Sequence, residues 1–201
     1  LVNGVRQATD WISHPNNVRD FFQTGYSQSH NLAVSNVSDK GSYRAALGYR
    51  NQKGTVPNTD QTKYNATLSA SFNVSKMLSA NLSMMYNKTK SDNLISSGYT
   101  SSNPLSAILN WFGRQVDMKD LKAHYNEKDA FGNRYNWISS FHNNPYFTAY
   151  NTTNSFDRDR LTGKASVFLH PIEWFKLEGR LGYDSNRNKT FQKIAYSTHC
   201  P

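Results

Sequence analysis

Between Tyr64 and Val74 every second residue is apolar or aromatic: Tyr64, Ala66, Leu68, Ala70, Phe72 and Val74. The residues between them (Asn65, Thr67, Ser69, Ser71, Asn73) are small and polar. A period of two places the two sets on opposite faces of a strand. After the turn residues "SKM" the alternation resumes with Leu78, Ala80, Leu82, Met84 and Tyr86, so the stretch reads as a hairpin with one oily and one wet face. The same period occurs upstream. His30, Leu32, Val34 and Asn36 share a face, "SDKG" marks a turn, and Tyr43, Ala45, Leu47 and Tyr49 oppose Arg44, Ala46, Gly48 and Arg50. It returns near the end, where Leu161, Gly163, Ala165, Val167 and Leu169 oppose Arg160, Thr162, Lys164, Ser166 and Phe168. "HPIE" then turns the chain into a strand with Phe175, Leu177, Gly179, Leu181 and Tyr183 on one side and Lys176, Glu178, Arg180 and Asp184 on the other. The pattern predicts an all-β chain, an antiparallel meander of about six strands.

Two regions break the period. Residues 1–24 carry weak helical character, with Val18, Phe21 and Phe22 at helical spacing, and predict a loop with a short helix near 16–23. Residues 91–157 predict a helix after Asn103, with Pro104 at its first position, running to about Gly113, and a second from Asp117 to His124. "NEKDAFGNRYNW" and "HNNPYF" read as irregular loop. The chain thus divides into 1–24, four strands in 25–90, a long loop with one or two short helices in 91–157, and two further strands in 158–201. Link lengths alternate. The links after strands one, three and five are short, whereas those after strands two and four are roughly ten and roughly 65 residues long. A transmembrane barrel keeps that parity, with short turns on one side of the membrane and long loops on the other; the two ends of a soluble sandwich have no reason to.

Composition narrows the choice. Hydrophobic residues are 37% and charged residues 18%, both below the roughly 45–50% and 25% of soluble domains. Aromatics nevertheless reach 13%, too many for a disordered chain. No run approaches the ~20 apolar residues of a membrane helix. The net charge of +9 comes from scattered Lys and Arg rather than from a block, which argues against nucleic acid as a partner. The single Cys200 closes no disulfide within the chain.

No phosphate-binding loop, nucleophile elbow or metal-type His/Cys spacing occurs, and no cofactor, metal or catalytic residue is expected. Asp157 and Asp159, each followed by an Arg, read as members of ion pairs. Seven Asn-x-Ser/Thr sequons read as the chance product of an Asn/Ser/Thr-rich chain. The long loop holds Trp111, Phe112, Tyr135, Trp137, Phe141, Tyr146, Phe147 and Tyr150 among Asn and Arg. Aromatic platforms beside amides suit a sugar or peptide ligand, or equally the loop's own core. The candidate ligand contacts are Trp111, Tyr135, Trp137 and Phe147 of the loop, with Arg44, Arg50, Lys164 and Arg180 on the wet strand faces.

The stretches "FFQTGYSQSHNLAVS", "YRAALGYRNQKGTVPNTDQTKYN", "NPLSAILNWFGRQVDMKDLK", "NNPYFTAYNTTNSFDRDRLTGKASV" and "WFKLEGRLGYD", in this order, resemble the SusC/RagA-type TonB-linked outer-membrane transporters. The resemblance spans nearly the whole chain. It implies a segment of a transmembrane 22-stranded β-barrel, with the plug, the TonB-contacting region and the remaining strands outside this sequence. It further implies location in the outer membrane of a Gram-negative bacterium, in contact with outer-membrane lipid. A SusD-type surface lipoprotein would be the partner and an oligosaccharide or peptide the imported substrate. Without the resemblance, the competing reading is a secreted β-sandwich that binds glycans as an adhesin or lectin; an enzyme has little support without positioned carboxylates.

Overall fold

The computed structural model describes residues 10–128, 130–138 and 142–196; Phe141 of the loop aromatics and Cys200 lie outside them. The elements run α1 (Asn17–Phe21), β1 (Tyr26–Ser38), β2 (Gly41–Lys53), β3 (Asp60–Asn73), β4 (Leu78–Ser91), α2 (Pro104–Trp111), α3 (Met118–Ala123), α4 (Pro145–Asn151), β5 (Thr153–Ile172) and β6 (Phe175–Lys193). The six strands form one antiparallel sheet in the order β1-β2-β3-β4-β5-β6, an uninterrupted meander.

One end of the sheet holds tight reversals. Asp39 and Lys40 join β1 to β2 ahead of Gly41, whose φ of 147° and close approach to β3 exclude a side chain: a Cβ there would stand 2.1 Å from the Ser71 carbonyl oxygen. Between β3 and β4 the Ser75 hydroxyl accepts from the N–H groups of Met77 and Leu78 at 3.2 and 3.1 Å. The β5–β6 reversal falls at Glu173 and Trp174, at the last residue of "HPIE" and the one after it, so His170 to Ile172 still belong to β5. The His170 N–H donates to Met77 O at 2.7 Å, which keeps β5 paired up to Pro171. A register shift between Leu169 and Ile172 then absorbs the proline, which has no N–H to offer. Both long links, and every helix, lie at the opposite end of the strands.

Register aligns the apolar positions into bands. Leu32 faces Leu47, which faces Ala66, then Tyr86, then Leu161. One step along, Val34, Ala45, Leu68, Met84, Gly163 and Tyr183 form the next row. A soluble sheet would bury such a face under a second layer. Here it stays open: Leu32 is 66% exposed, Leu47 60%, Phe72 51% and Leu181 73%. β5 and β6, at 20 and 19 residues, are about twice the ~9–11 residues that cross a bilayer. The apolar rows occupy only the half near the tight turns.

The buried apolar core belongs to the loops. Phe21, Val56, Ile108, Val116, Met118, Leu121, Tyr146 and Ala149 form one cluster, and none of them is in a strand. Buried asparagines tie this cap together. Asn17 Nδ2 donates to Gly113 O and Val116 O at 2.8 and 3.2 Å. Asn93 Nδ2 donates to Asn58 O at 2.8 Å while its Oδ1 accepts from Asn154 N at 2.9 Å, which fixes the start of β5. α2 begins where Asn103 caps it, accepting from Leu105 N at 3.1 Å, and α3 begins at the Asp117 cap. α4 corrects the reading of "HNNPYF" as irregular. Asn144 and Pro145 repeat the cap-and-proline start of α2, and Tyr146, Phe147, Thr148 and Ala149 are all buried. This burial stabilises a helix that Tyr, Phe and Thr disfavour intrinsically.

Two outcomes follow for thermal or urea unfolding in detergent micelles. Gly41→Ala destabilises by about 1–3 kcal/mol, since the left-handed backbone and the Ser71 carbonyl leave no room, whereas Gly179→Ala, with nothing within 4 Å of the added carbon, is neutral. Asn144→Ala costs about 2–4 kcal/mol through a lost cap and two orphaned buried carbonyls. Asn103→Ala costs about 1 kcal/mol; equal losses at the two caps would contradict the buried network around Asn144.

Candidate functional site

The wet faces of the strands combine into one concave surface. A hollow of about 560 Å³ lies on it, lined by Ser35, Ser42, Arg44, Ser69, Ser71, Asn81, Ser83, Lys164, Ser166 and Arg180 among others. The sheet is therefore bent with its polar side inward and its apolar side outward, the reverse of a soluble barrel. Arg44, Ser69, Ser83 and Lys164 stand in one register row on β2 to β5, which sets the two cations about 14 Å apart at ~4.8 Å per strand. Arg180 holds Glu178 with two charge-assisted hydrogen bonds, its Nη2 donating to Oε2 at 2.7 Å. Arg50, nearer the long-loop end, donates from Nε to the Ser27 hydroxyl at 3.1 Å. All four strand cations selected from the sequence thus lie on the concave face.

That face carries more charge than the sequence reading selected. Lys63 stands directly opposite Arg50, and Arg158 lies in the same row beyond Thr89. Arg160 forks onto Asp184, Nε to Oδ1 at 3.1 Å and Nη2 to Oδ2 at 2.7 Å. Strand parity was the signal that could have found them. Parity also separates Asp157 and Asp159 from the arginines that follow them. Both aspartates are on the outward face, where Lys88 reaches them at 3.5 and 3.3 Å and the Tyr86 hydroxyl donates to Asp159 at 2.6 Å. This charged girdle caps the apolar rows on the long-loop side.

The loop aromatics divide. Phe147 is 1% exposed beneath the Arg134 guanidinium, 3.9 Å from its ring centre, so it has no surface for a solute. Tyr135 packs against the loop core and donates its hydroxyl to Asp120; burial, then this carboxylate, push its pKa up to about 12. Trp137 stands edge-on to Phe112 at 4.4 Å. Trp111, at the end of α2, is 45% exposed and donates its indole N–H to the Tyr99 hydroxyl at 2.7 Å. His142 lies 5.8 Å from Trp111, 6.0 Å from Tyr99 and 6.3 Å from Trp137, and burial lowers its pKa, so the ring is neutral in this aromatic cradle. Leu109, on the same helix as Trp111, is 67% exposed. Trp111 with Tyr99, a residue the sequence reading did not select, therefore forms an accessible aromatic pair on the loop; Phe131, also unselected, is exposed as well. Among the described residues no group of His, Cys, Asp and Glu is arranged to hold a metal ion, and no helix is long and apolar enough to cross a membrane.

No family model matches the sequence, and no curated protein matches it as a relative. Solved structures do match. The RagAB peptide importer in its open-open state aligns with a TM-score of 0.68 at 16% identity, covering 92% of this chain and 20% of the importer chain. The closed-closed state aligns with a TM-score of 0.67 at 17% identity and the same coverage. The chain thus spans one-fifth of the length of the solved chains it matches. The fold is shared although most residues differ: the six-stranded antiparallel meander matches a segment of the importer chain.

Proposed function

We propose that this chain is part of the wall of a TonB-dependent outer-membrane transporter that imports oligosaccharides or peptides together with a surface lipoprotein. The observation that carries the reading is the inversion of the sheet: an open apolar face outside, a polar concave face inside, and a charged girdle at one edge of the apolar rows. On β3 the apolar positions from Tyr64 to Phe72 cover about 26 Å of strand. At a tilt of about 40° that is roughly 20 Å of height, close to the ~25 Å band of outer-membrane barrels. Residues 54–59 and 92–152, with the helical cap, then face the outside of the cell, and the tight turns face the periplasm. Lipid covers Leu47, Leu68, Phe72 and Leu181. The cap presents Trp111 and Tyr99 to the solute or to the lipoprotein. Arg44, Arg50, Lys164 and Arg180 line the lumen toward solute and plug. TonB acts through a region beyond this sequence, and transport proceeds by binding and gating, without a chemical step.

A secreted glycan-binding sandwich would need a second sheet over Leu32, Leu47 and Leu181, and the meander pairs only with its sequence neighbours. Two measurements separate the readings. The protein sediments with outer membranes and needs detergent to stay monodisperse; a cooperatively melting species in plain buffer would sink the proposal. Within the protein, Leu68→Arg on the outward face lowers folding into lipid by about 2–4 kcal/mol. Ser69→Arg, its neighbour on the concave face, costs much less, and equal penalties would remove the assignment of faces.

A further inference from the structure

The mouth of the concave face carries positive charge that the sheet itself does not balance. The acidic residues on the concave face of the strands are Glu178 and Asp184, and both are engaged, by Arg180 and Arg160. Arg50 and Lys63 are direct register partners on β2 and β3, with Arg158 in the same row across Thr89. The row spans about 14 Å at ~4.8 Å per strand. Like charges directly opposite each other destabilise a strand pair, and among the described residues none of the three has an acidic side chain within ion-pairing distance. The surplus is not simply that of a basic chain. At the same height on the outward face, Lys88 sits between Asp157 and Asp159, and Lys90 lies 3.0 Å from Asp92.

The row one step inward is mostly amide: Asn31, Asn65, Asn87 and Asn186, interrupted by Gly48 and by Arg160, whose charge Asp184 already holds. Gly48 is an opening into which amides lean. A Cβ there would meet Asn65 Oδ1 at 2.2 Å and Asn31 Oδ1 at 2.8 Å. Cations in a row beside a row of amides match an oligomer that bears carboxylates on a hydroxyl- or amide-rich backbone. The guanidiniums take the carboxylates, bidentately where geometry allows, and the amides take the neutral groups. Placed just beneath the helical cap, the same charges also draw an anionic solute toward the mouth.

The geometry points to a carboxylate-reading subsite formed by Arg50, Lys63 and Arg158, so that the transported solute is an acidic oligomer. The inference rests on the transporter reading above. It is tested by calorimetric titration of the full-length protein in detergent, with pentaglutamate and pentagalacturonate as acidic probes and pentaglutamine and maltopentaose as their neutral counterparts. At least one acidic probe binds about ten-fold more tightly than its counterpart, and its affinity falls steeply as salt rises, because exposed charges are screened within about 10 Å at 0.1 M. Which of the two acidic probes binds distinguishes a peptide from a saccharide source. Arg50→Gln with Lys63→Gln removes about ten-fold of that affinity, while Lys189→Gln on the outward face changes nothing; unchanged heat-modifiable gel migration shows that the variants fold. Acidic and neutral probes binding alike, or acidic binding insensitive to salt, would overturn the subsite, and the wild-type salt titration decides this even if the double variant misfolds. Neutral binding by a protein that fractionates with outer membranes leaves the transporter reading standing and removes only the subsite.

Discussion

The backbone donors and acceptors of the strands find their partners within the sheet, and among the described residues no second layer covers its apolar side. The uninterrupted meander meets the constraint between β1 and β6: each interior strand is paired along both edges, in continuous register except for the shift between Leu169 and Ile172 beside the last reversal. In water such a sheet would leave Leu47, Phe72 and Leu181 unpaid for; in hydrocarbon the same face is in its proper solvent, and only closed hydrogen-bonding of this kind is viable there. The low content of bulky aliphatics has the same origin, since a one-layer wall has no dry interior to fill.

The constraint partitions the molecule. The strands supply a wall whose outer half-thickness is apolar and whose inner half is Ser, Asn and Arg. The loops supply a separate, conventionally packed body in which Phe21, Ile108, Met118, Leu121 and Tyr146 exclude water. The asparagines join the two. Asn93 connects the end of β4 to the β2–β3 loop and to the start of β5, and Asn58 Nδ2 donates to Ala149 O at 2.9 Å, linking the β2–β3 loop to α4. A cap held this way carries Trp111 and Tyr99 on a body with its own core, not on a free loop.

Charge follows the same division. On the outward face Lys88 is matched by two aspartates at the border of the apolar rows. On the concave face Glu178 and Asp184 are already paired, and Arg50, Lys63 and Arg158 have no acidic partner among the described residues: Arg50 holds the Ser27 hydroxyl and Arg158 lies 6.0 Å from the Phe156 ring centre. The contrast arises from one residue step: Asp157 and Asp159 alternate with Arg158 and Arg160, and the strand deals each sign to a different solvent.

The alternation of residue types was enough to read six strands, their order, the parity of their links and which residues share a face, because a period of two is a local property of the chain. The caps of α2 and α3 were legible for the same reason: Asn103–Pro104 and Asp117 satisfy helix ends within a few residues. Tertiary structure decided the rest. α4 forms because Tyr146 and Phe147 are buried, against their own propensities, so "HNNPYF" looked irregular. The last reversal tightened onto the end of "HPIE", at Glu173 and Trp174, because Met77, far off in sequence, holds His170 in the sheet. Phe147 and Trp111 are indistinguishable as loop aromatics in the sequence, yet one lies under Arg134 and the other faces solvent. Likewise, only the register shows that Lys63 stands against Arg50. Periodicity tells which side a residue is on; which neighbours share that side depends on strand pairing, and that is a non-local choice.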